Sequence, residues 1–197
     1  MVQTIFKFKI FSGILNSGFR ATFGIHKNIL FICMHLDITQ PQLLEDYLKS
    51  KNWLKEHEPI LSLEKPGEGN MNYTLRVRTH DRTFIVKQAR PYVEKYPQIA
   101  APDERAVIEG QFYEKIQPFE TLSSFMPQLI GLDEVNKVLV LEDLGMASDY
   151  TFLYQPKQSL SVHEAEELAN YVSMLHRLTW QEIIDGSFSN QKMRALN

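Results

Sequence analysis

Two short segments near the middle of the chain alternate apolar with polar residues. In residues 73–79, Tyr, Leu and Val alternate with Thr and Arg, and in residues 83–88, Ile85 and Lys87 fall on one side and two apolar residues on the other. Alternation with a period of two is typical of β-strands that have one buried face. Together with three further apolar runs they predict one five-stranded antiparallel sheet; these runs are residues 60–65, 129–133 and 137–142.

Helical periodicity occurs in three other segments, residues 39–54, 103–117 and 161–180. We expect Thr39 to cap the first helix, with Pro41 in its first turn. In the third segment, Ser161 and Glu164 have the spacing of a capping box. The order of three strands, a helix, two strands and then further helices predicts an α+β fold.

The bend between the first two strands of the 60–88 region is rich in residues that permit unusual backbone geometry, namely Gly67, Gly69, Asn70 and Asn72. Glycine leaves backbone N–H groups open to phosphate oxygens, because no side chain obstructs their approach. Asn72 stands where a G-x-G-x-x-G loop has its third glycine, and asparagine tolerates left-handed backbone geometry. A glycine-rich bend alone is more often a simple turn, so the turn and the phosphate cradle both stay open.

Lys87 adds the cation that a phosphate site would need. It shares a strand face with Ile85 just beyond the bend, where an ammonium group could contact the α- and β-phosphates of a triphosphate. A partly buried lysine needs an acidic partner, and the 103–117 helix offers Glu109, which we favour, and Glu104. The alternative is a strand lysine that extends into solvent and a solvated helix glutamate.

A second candidate element is the apolar strand that leads into Gly145, residues 139–145. Such a segment is typical of a hinge between two lobes, whose backbone can pair with adenine. We expect Leu141 to pack against the base, and the Glu142 carbonyl and the Leu144 N–H to be its hydrogen-bond partners.

Four stretches of this sequence resemble one known family. They are G-E-G-N-M-N-Y at 67–73, F-I-V-K-Q-A-R-P-Y-V at 84–93, R-A-V-I-E-G at 105–110 and V-L-V-L-E-D-L-G at 138–145. These residues look like those of the aminoglycoside phosphotransferase and methylthioribose kinase group of small-molecule kinases, whose fold is similar to that of protein kinases. The resemblance covers roughly residues 36–180, and 84–93 looks most like methylthioribose kinases.

The resemblance implies a domain arrangement and a cofactor. Residues 34–144 would form the ATP-binding N-terminal lobe with its hinge, and residues 145–197 the beginning of a helical C-terminal lobe. Lys87 would contact ATP phosphates, Glu109 would pair with it, and the backbone of 142–144 would bind adenine. ATP and Mg²⁺ would be the cofactors, and a small molecule with a hydroxyl group would accept the phosphoryl group.

The sequence departs from the family in the catalytic loop. That loop reads H-G-D with an Asn five residues after the Asp, and no H-G-D occurs here. Asp185 and Asn190 have the required spacing, but no His-Gly precedes Asp185 and too few residues follow for a second metal-binding Asp. We therefore expect no catalytic or metal-binding residue in this chain. The chain would then be a kinase fragment that is inactive alone and exposes the apolar side of its 161–180 helix, allowing self-association.

Composition narrows the remaining possibilities. The net charge of −3 argues against a nucleic-acid-binding surface, which is normally basic. No apolar run is long enough to span a membrane. The single cysteine, Cys33, fits a reducing compartment, so the cytoplasm is the default. Residues 1–33 contain no acidic residue and are read as a foreign or poorly packed extension, a targeting segment or an extra strand. A non-catalytic nucleotide-binding or protein-interaction module is the alternative function.

Overall fold

The computed structural model describes residues 34–67, 71–145, 150–180 and Lys192. Its centre is a five-stranded antiparallel sheet with the strand order β1-β2-β3-β7-β6. The strands are β1 (Ser62–Glu64), β2 (Tyr73–Arg78), β3 (Thr83–Gln88), β6 (Leu129–Asp133) and β7 (Val138–Glu142). All five lie within the segments predicted from the alternation, so the α+β prediction is confirmed.

The first helix is shorter than predicted and is capped differently. Helix α1 spans Pro41–Ser50, and its N-cap is Gln40 rather than Thr39. The Thr39 hydroxyl donates instead to Asp37 Oδ1 at 2.8 Å, which uses the cap side chain in the preceding turn. At the other end, Asn52 adopts a left-handed φ of 59°, a conformation that ends helices and that asparagine tolerates.

The main core lies between one face of the sheet and α1. It contains apolar side chains of β2, β3 and β7 together with Leu44 and Leu48 of α1 and the chain segment at Met34 and Leu36. The sheet contributes Tyr73, Leu75, Val77, Phe84, Val86, Val138 and Val140. Each comes from alternate positions of its strand, as the pattern of period two requires.

The opposite face of the sheet receives helix α2, which spans Arg105–Ile116. Strand β7 is buried on both faces, because Leu139 and Leu141 on this side are as buried as Val138 and Val140 on the other. The helix lies close to β6: a Cβ atom on Gly110 would come within 2.5 Å of the Leu132 side chain. Helix α2 therefore covers the β6 and β7 side of the sheet.

Three smaller elements were not predicted. A hairpin of β4 (Tyr92–Val93) and β5 (Tyr96–Ala100) forms a second two-stranded sheet, short helix α3 spans Glu120–Ser123, and a 3-10 helix spans Tyr150–Tyr154. The hairpin is short and β5 is exposed along its whole length. Strands without a buried face leave no alternating pattern in the sequence.

Helix α4 spans Val162–Thr179 and begins with the predicted capping box, in which Glu164 N donates to Ser161 Oγ and the Glu164 carboxylate accepts from Ser161 N. Its contacts are with α3 and the residues that follow it, where Tyr171 stacks edge-on against Phe125. Leu168 and Val172 are 38% and 46% exposed. Self-association through this face stays a prediction.

Several sequence predictions fall outside the described residues: those on residues 1–33, on Gly69 and Asn70, and on the Asp185–Asn190 spacing. In the part of the chain that is described, no helix is both long enough and apolar enough to cross a membrane.

Candidate functional site

Lys87 of β3 and Glu109 of α2 form an ion pair between the sheet and the helix. The distance from Lys87 Nζ to Glu109 Oε1 is 2.8 Å, and the two side chains are 27% and 31% exposed. The contact expected from the sequence is therefore present. Glu104, the alternative partner, pairs with Lys192 instead. The Lys87 ammonium is held at a defined place and is still open to a ligand.

The strand register explains why Lys87 points this way. Lys87 lies opposite Thr74 of β2 and Leu139 of β7, and Ile85, two residues earlier on the same face, lies opposite Leu141. Leu141 is only 2% exposed. Ile85 is thus a half-buried neighbour of Lys87 on this face, whereas Leu141 is covered in this structure.

The described ends of the bend have the geometry that its sequence suggests. Gly67 has a φ of +63°, which a residue with a side chain adopts only with strain. At the far end, the Asn72 side chain accepts a hydrogen bond at 2.7 Å from Arg105, the first residue of α2. A cavity of about 340 Å³ opens beside the bend and is lined by Lys65, Gly67, Asn72, Tyr73, Thr74, Glu94 and Lys95.

The segment after β7 is held by a buried ion pair that sequence reasoning missed. The Asp143 carboxylate, 4% exposed, contacts Arg76 of β2, with Nε–Oδ2 at 2.8 Å and Nη2–Oδ1 at 3.0 Å. Arg76 Nη2 also donates to the Gly145 carbonyl. The alternation of the strands could have indicated this pair. Arg76 of β2 shares a sheet face with Ile85 of β3 and Leu141 of β7, and Asp143 follows Leu141 by two residues, so a long arginine side chain can reach it across β3.

These contacts also set the charge of Asp143. Burial alone would raise the pKa of its carboxyl, but hydrogen bonds from Arg76 and from the Gly145 N–H outweigh burial and lower it. Asp143 is therefore a fixed anion that anchors the segment, and the exposed Leu144 follows it.

One of the two backbone groups assigned to adenine, the Leu144 N–H, lies next to an exposed side chain. Within the described residues, the Leu144 N–H has no acceptor in hydrogen-bonding range, and Leu144 is 59% exposed. The N–H of Glu142 is used, because it donates to the Gln128 carbonyl at 2.9 Å. The Leu144 N–H is therefore available for the role assigned to it.

Metal ions need groups of ligand side chains. The described residues contain no group of three or more His, Cys, Asp or Glu side chains that could hold a metal ion. His176, which the helical pattern places near the end of α4, lies exposed on the helix surface.

Comparison with known proteins yields distant similarity to one enzyme. The chain is 27% identical over 103 residues to a methylthioribose kinase of Bacillus cereus strain B4264, and 27% identical over 113 residues to the methylthioribose kinase of Bacillus cereus strain ATCC 14579. The matches cover 50% and 55% of this chain but only 25% and 26% of those kinases. No family model matches the sequence. Similarity of this extent supports, at most, a kinase-like relationship.

Proposed function

We propose that this chain carries the ATP-binding lobe of a small-molecule kinase, with residues 34–144 as that lobe and residues 145–197 as the start of a helical lobe. The observation that carries the proposal is the Lys87–Glu109 pair, which lies on the sheet face that also presents Ile85 and Leu141. The distant methylthioribose kinase relatives support the same class of function.

Each element of the site has a separate role in this proposal. Lys87 contacts the α- and β-phosphates, and Glu109 holds the ammonium group in position between them and α2. The N–H groups of the bend, which include Gly69 and Asn70, surround the phosphate oxygens. Ile85 and Leu141 pack on the adenine ring, while the Glu142 carbonyl and Leu144 N–H pair with its edge.

ATP, when bound, supplies the γ-phosphoryl group, and the acceptor is a hydroxyl group of a small molecule. Methylthioribose is the first acceptor to test, because it is the one named for both relatives. We expect no transfer by this chain alone, since the sequence lacks the H-G-D loop that would place a carboxylate beside the acceptor hydroxyl.

The direct test is ATP binding by the full chain, measured by calorimetric titration. We expect weak binding that Lys87→Ala weakens further, by about tenfold, because one charge-assisted contact to phosphate is lost. Lys55→Ala is the matched control, since Lys55 is exposed and lies outside the site. Equal affinities for the wild type and Lys87→Ala would refute the assignment of Lys87.

A second measurement tests the absence of transfer. ATP consumption is followed with methylthioribose, an aminoglycoside, choline and a simple sugar as acceptors, beside the Lys87→Ala variant. Consumption that depends on both an acceptor and Lys87 would contradict the expected inactivity and would make Asp185 and Asn190 candidates for the catalytic residues.

A further inference from the structure

Arg105, the first residue of α2, joins three separate parts of the chain. Its Nε donates to Asn72 Oδ1 at 2.7 Å and its Nη2 to the Met71 carbonyl at 2.6 Å, both at the end of the bend. The remaining hydrogen bonds of the guanidinium go to the carbonyl oxygens of Arg90, Tyr92 and Pro102. A single side chain thus satisfies acceptors in the bend, in the β3–β4 connection and just before α2.

The partners of Arg105 are neutral oxygen atoms. Among the described residues, no carboxylate lies within ion-pair distance of its guanidinium, so the side chain serves as a donor of directed hydrogen bonds. Burial lowers the pKa of Arg105, yet arginine stays protonated in proteins. A planar group with five N–H donors suits a cage of carbonyl oxygens, and a lysine could not reproduce this geometry.

The position of Arg105 on α2 matters because Glu109 follows one helical turn later. Residues four apart project from the same side of a helix. On that side, Arg105 donates to Asn72 at the end of the bend, and Glu109 accepts from Lys87. The bend and the ammonium group are therefore attached to the same two turns of one helix.

We propose that Arg105 is a positioning residue that couples Met71 and Asn72, at the end of the bend, to helix α2, so that these two residues and the Lys87–Glu109 pair move as one unit. A displacement of α2 that breaks the ion pair would then also displace Met71 and Asn72. The consequence for nucleotide binding rests on the function proposed above, whereas the coupling itself can be measured without nucleotide.

The test is a double-mutant cycle read by hydrogen exchange of the backbone amides in residues 71–75, the described end of the bend and the start of β2, with the full chain and no nucleotide. Glu109→Gln disturbs the ion pair at α2, and we expect it to speed exchange in the bend by about threefold or more. In the Arg105→Gln background the bend already exchanges fast, and Glu109→Gln should add little. Glu114→Gln, at an exposed position of the same helix, is the matched control and should leave the bend unchanged.

The outcome is decided by comparing the two backgrounds. An equal effect of Glu109→Gln with and without Arg105, or no effect in either, would overturn the coupling. Should Arg105→Gln fail to fold, Arg105→Lys takes its place in the cycle, because it keeps the positive charge and cannot reproduce the directed hydrogen bonds to Asn72 and the Met71 carbonyl. A purely structural role would lower stability without changing how the bend responds to Glu109.

ATP titration of the same variants separates this inference from the proposed function. Wild-type protein that shows the exchange coupling but does not bind ATP would contradict the function and support the coupling. Binding of ATP without exchange coupling would contradict only the role of Arg105.

Discussion

Buried charged side chains in this protein are held by several hydrogen bonds each. Glu58 is 3% exposed and accepts from the Thr79 hydroxyl at 2.8 Å and from Arg82 Nε at 3.1 Å. Asp133, at the end of β6, contacts Lys51 at 2.7 Å and accepts from the Tyr47 hydroxyl at 2.9 Å. Both carboxylates tie the chain around α1 to the sheet, and both lie away from the Lys87 site.

The pKa of Glu58 gives a prediction at this scale. Burial alone would raise it, but hydrogen bonds from Arg82, from Thr79 and from the backbone of Lys55 lower it from 4.5 to about 2. A carboxyl whose pKa is lowered on folding stabilises the protein above its unfolded pKa. That stability is lost as the pH falls from 4.5 to about 2.

We therefore expect Glu58→Gln to lower the free energy of unfolding at pH 7 and to flatten its dependence on pH between about 4.5 and 2. Urea unfolding at a series of pH values measures both effects. Glu56→Gln, at an exposed position two residues earlier, is the control and should follow the wild type. The free energy of unfolding should still depend on pH in the Glu58→Gln variant, because the pKa of Asp133 is also lowered in the folded protein. Parallel curves for Glu58→Gln and the wild type would show that the carboxylate does not stabilise the fold.

At the scale of elements, two glycines set how closely neighbours approach the edge strand β6. Gly110 of α2 lies against Leu132, and Gly131 lies against the Trp53 ring, where an added Cβ would come within 2.0 Å of the indole. Trp53 also packs on the main core and stacks edge-on against Tyr47 of α1. The ring therefore has little room to move when Gly131 is replaced.

Gly131→Ala should accordingly destabilise the protein by about 1–3 kcal/mol, although alanine is otherwise better than glycine inside a strand. Denaturant unfolding checks this. If the clash with the indole is the cause, Trp53→Leu should remove most of the effect of Gly131→Ala, so that the two substitutions are strongly non-additive. Additive effects would place the cause elsewhere.

On the scale of the whole molecule, the segment from Met34 to Leu36 is held on the sheet mainly by hydrogen bonds from side chains. Met34 N donates to Asn136 Oδ1 at 2.9 Å, and Gln88, 4% exposed, binds the Met34 carbonyl and the Leu36 N–H. Leu36 is fully buried. Met34 and Leu36 are thus part of the core even though they belong to no helix or strand.

This leads to a prediction about shortened chains. A chain that starts at Met34 should melt within a few degrees of the full chain, since we expect residues 1–33 to make few contacts with the body. A chain that starts at Ile38 also loses the burial of Met34 and Leu36, worth about 2 kcal/mol each, and should melt far lower. Calorimetric melts of the three proteins decide. A large drop for the Met34 start would mean that residues 1–33 belong to the folded domain.

The sequence by itself determined the parts of this protein that depend on local geometry. The period of two placed Lys87 and Ile85 on one strand face and Phe84 and Val86 on the other, and the structure has the same division. The Ser161–Glu164 capping box could also be predicted, because its two hydrogen bonds join residues only three apart. Such features follow from backbone repeats that are the same in every protein.

Only the tertiary structure decided which distant groups meet. It placed β7 beside β3, paired Lys87 with Glu109 rather than Glu104, and brought Arg105 to the bend. It also overrode the expected Thr39 cap, because the helix begins one residue later, with Gln40 at the N-cap. The physical reason is that a residue's spacing fixes its face on a strand or helix, whereas its partner depends on how those elements pack across the core, which no local pattern encodes.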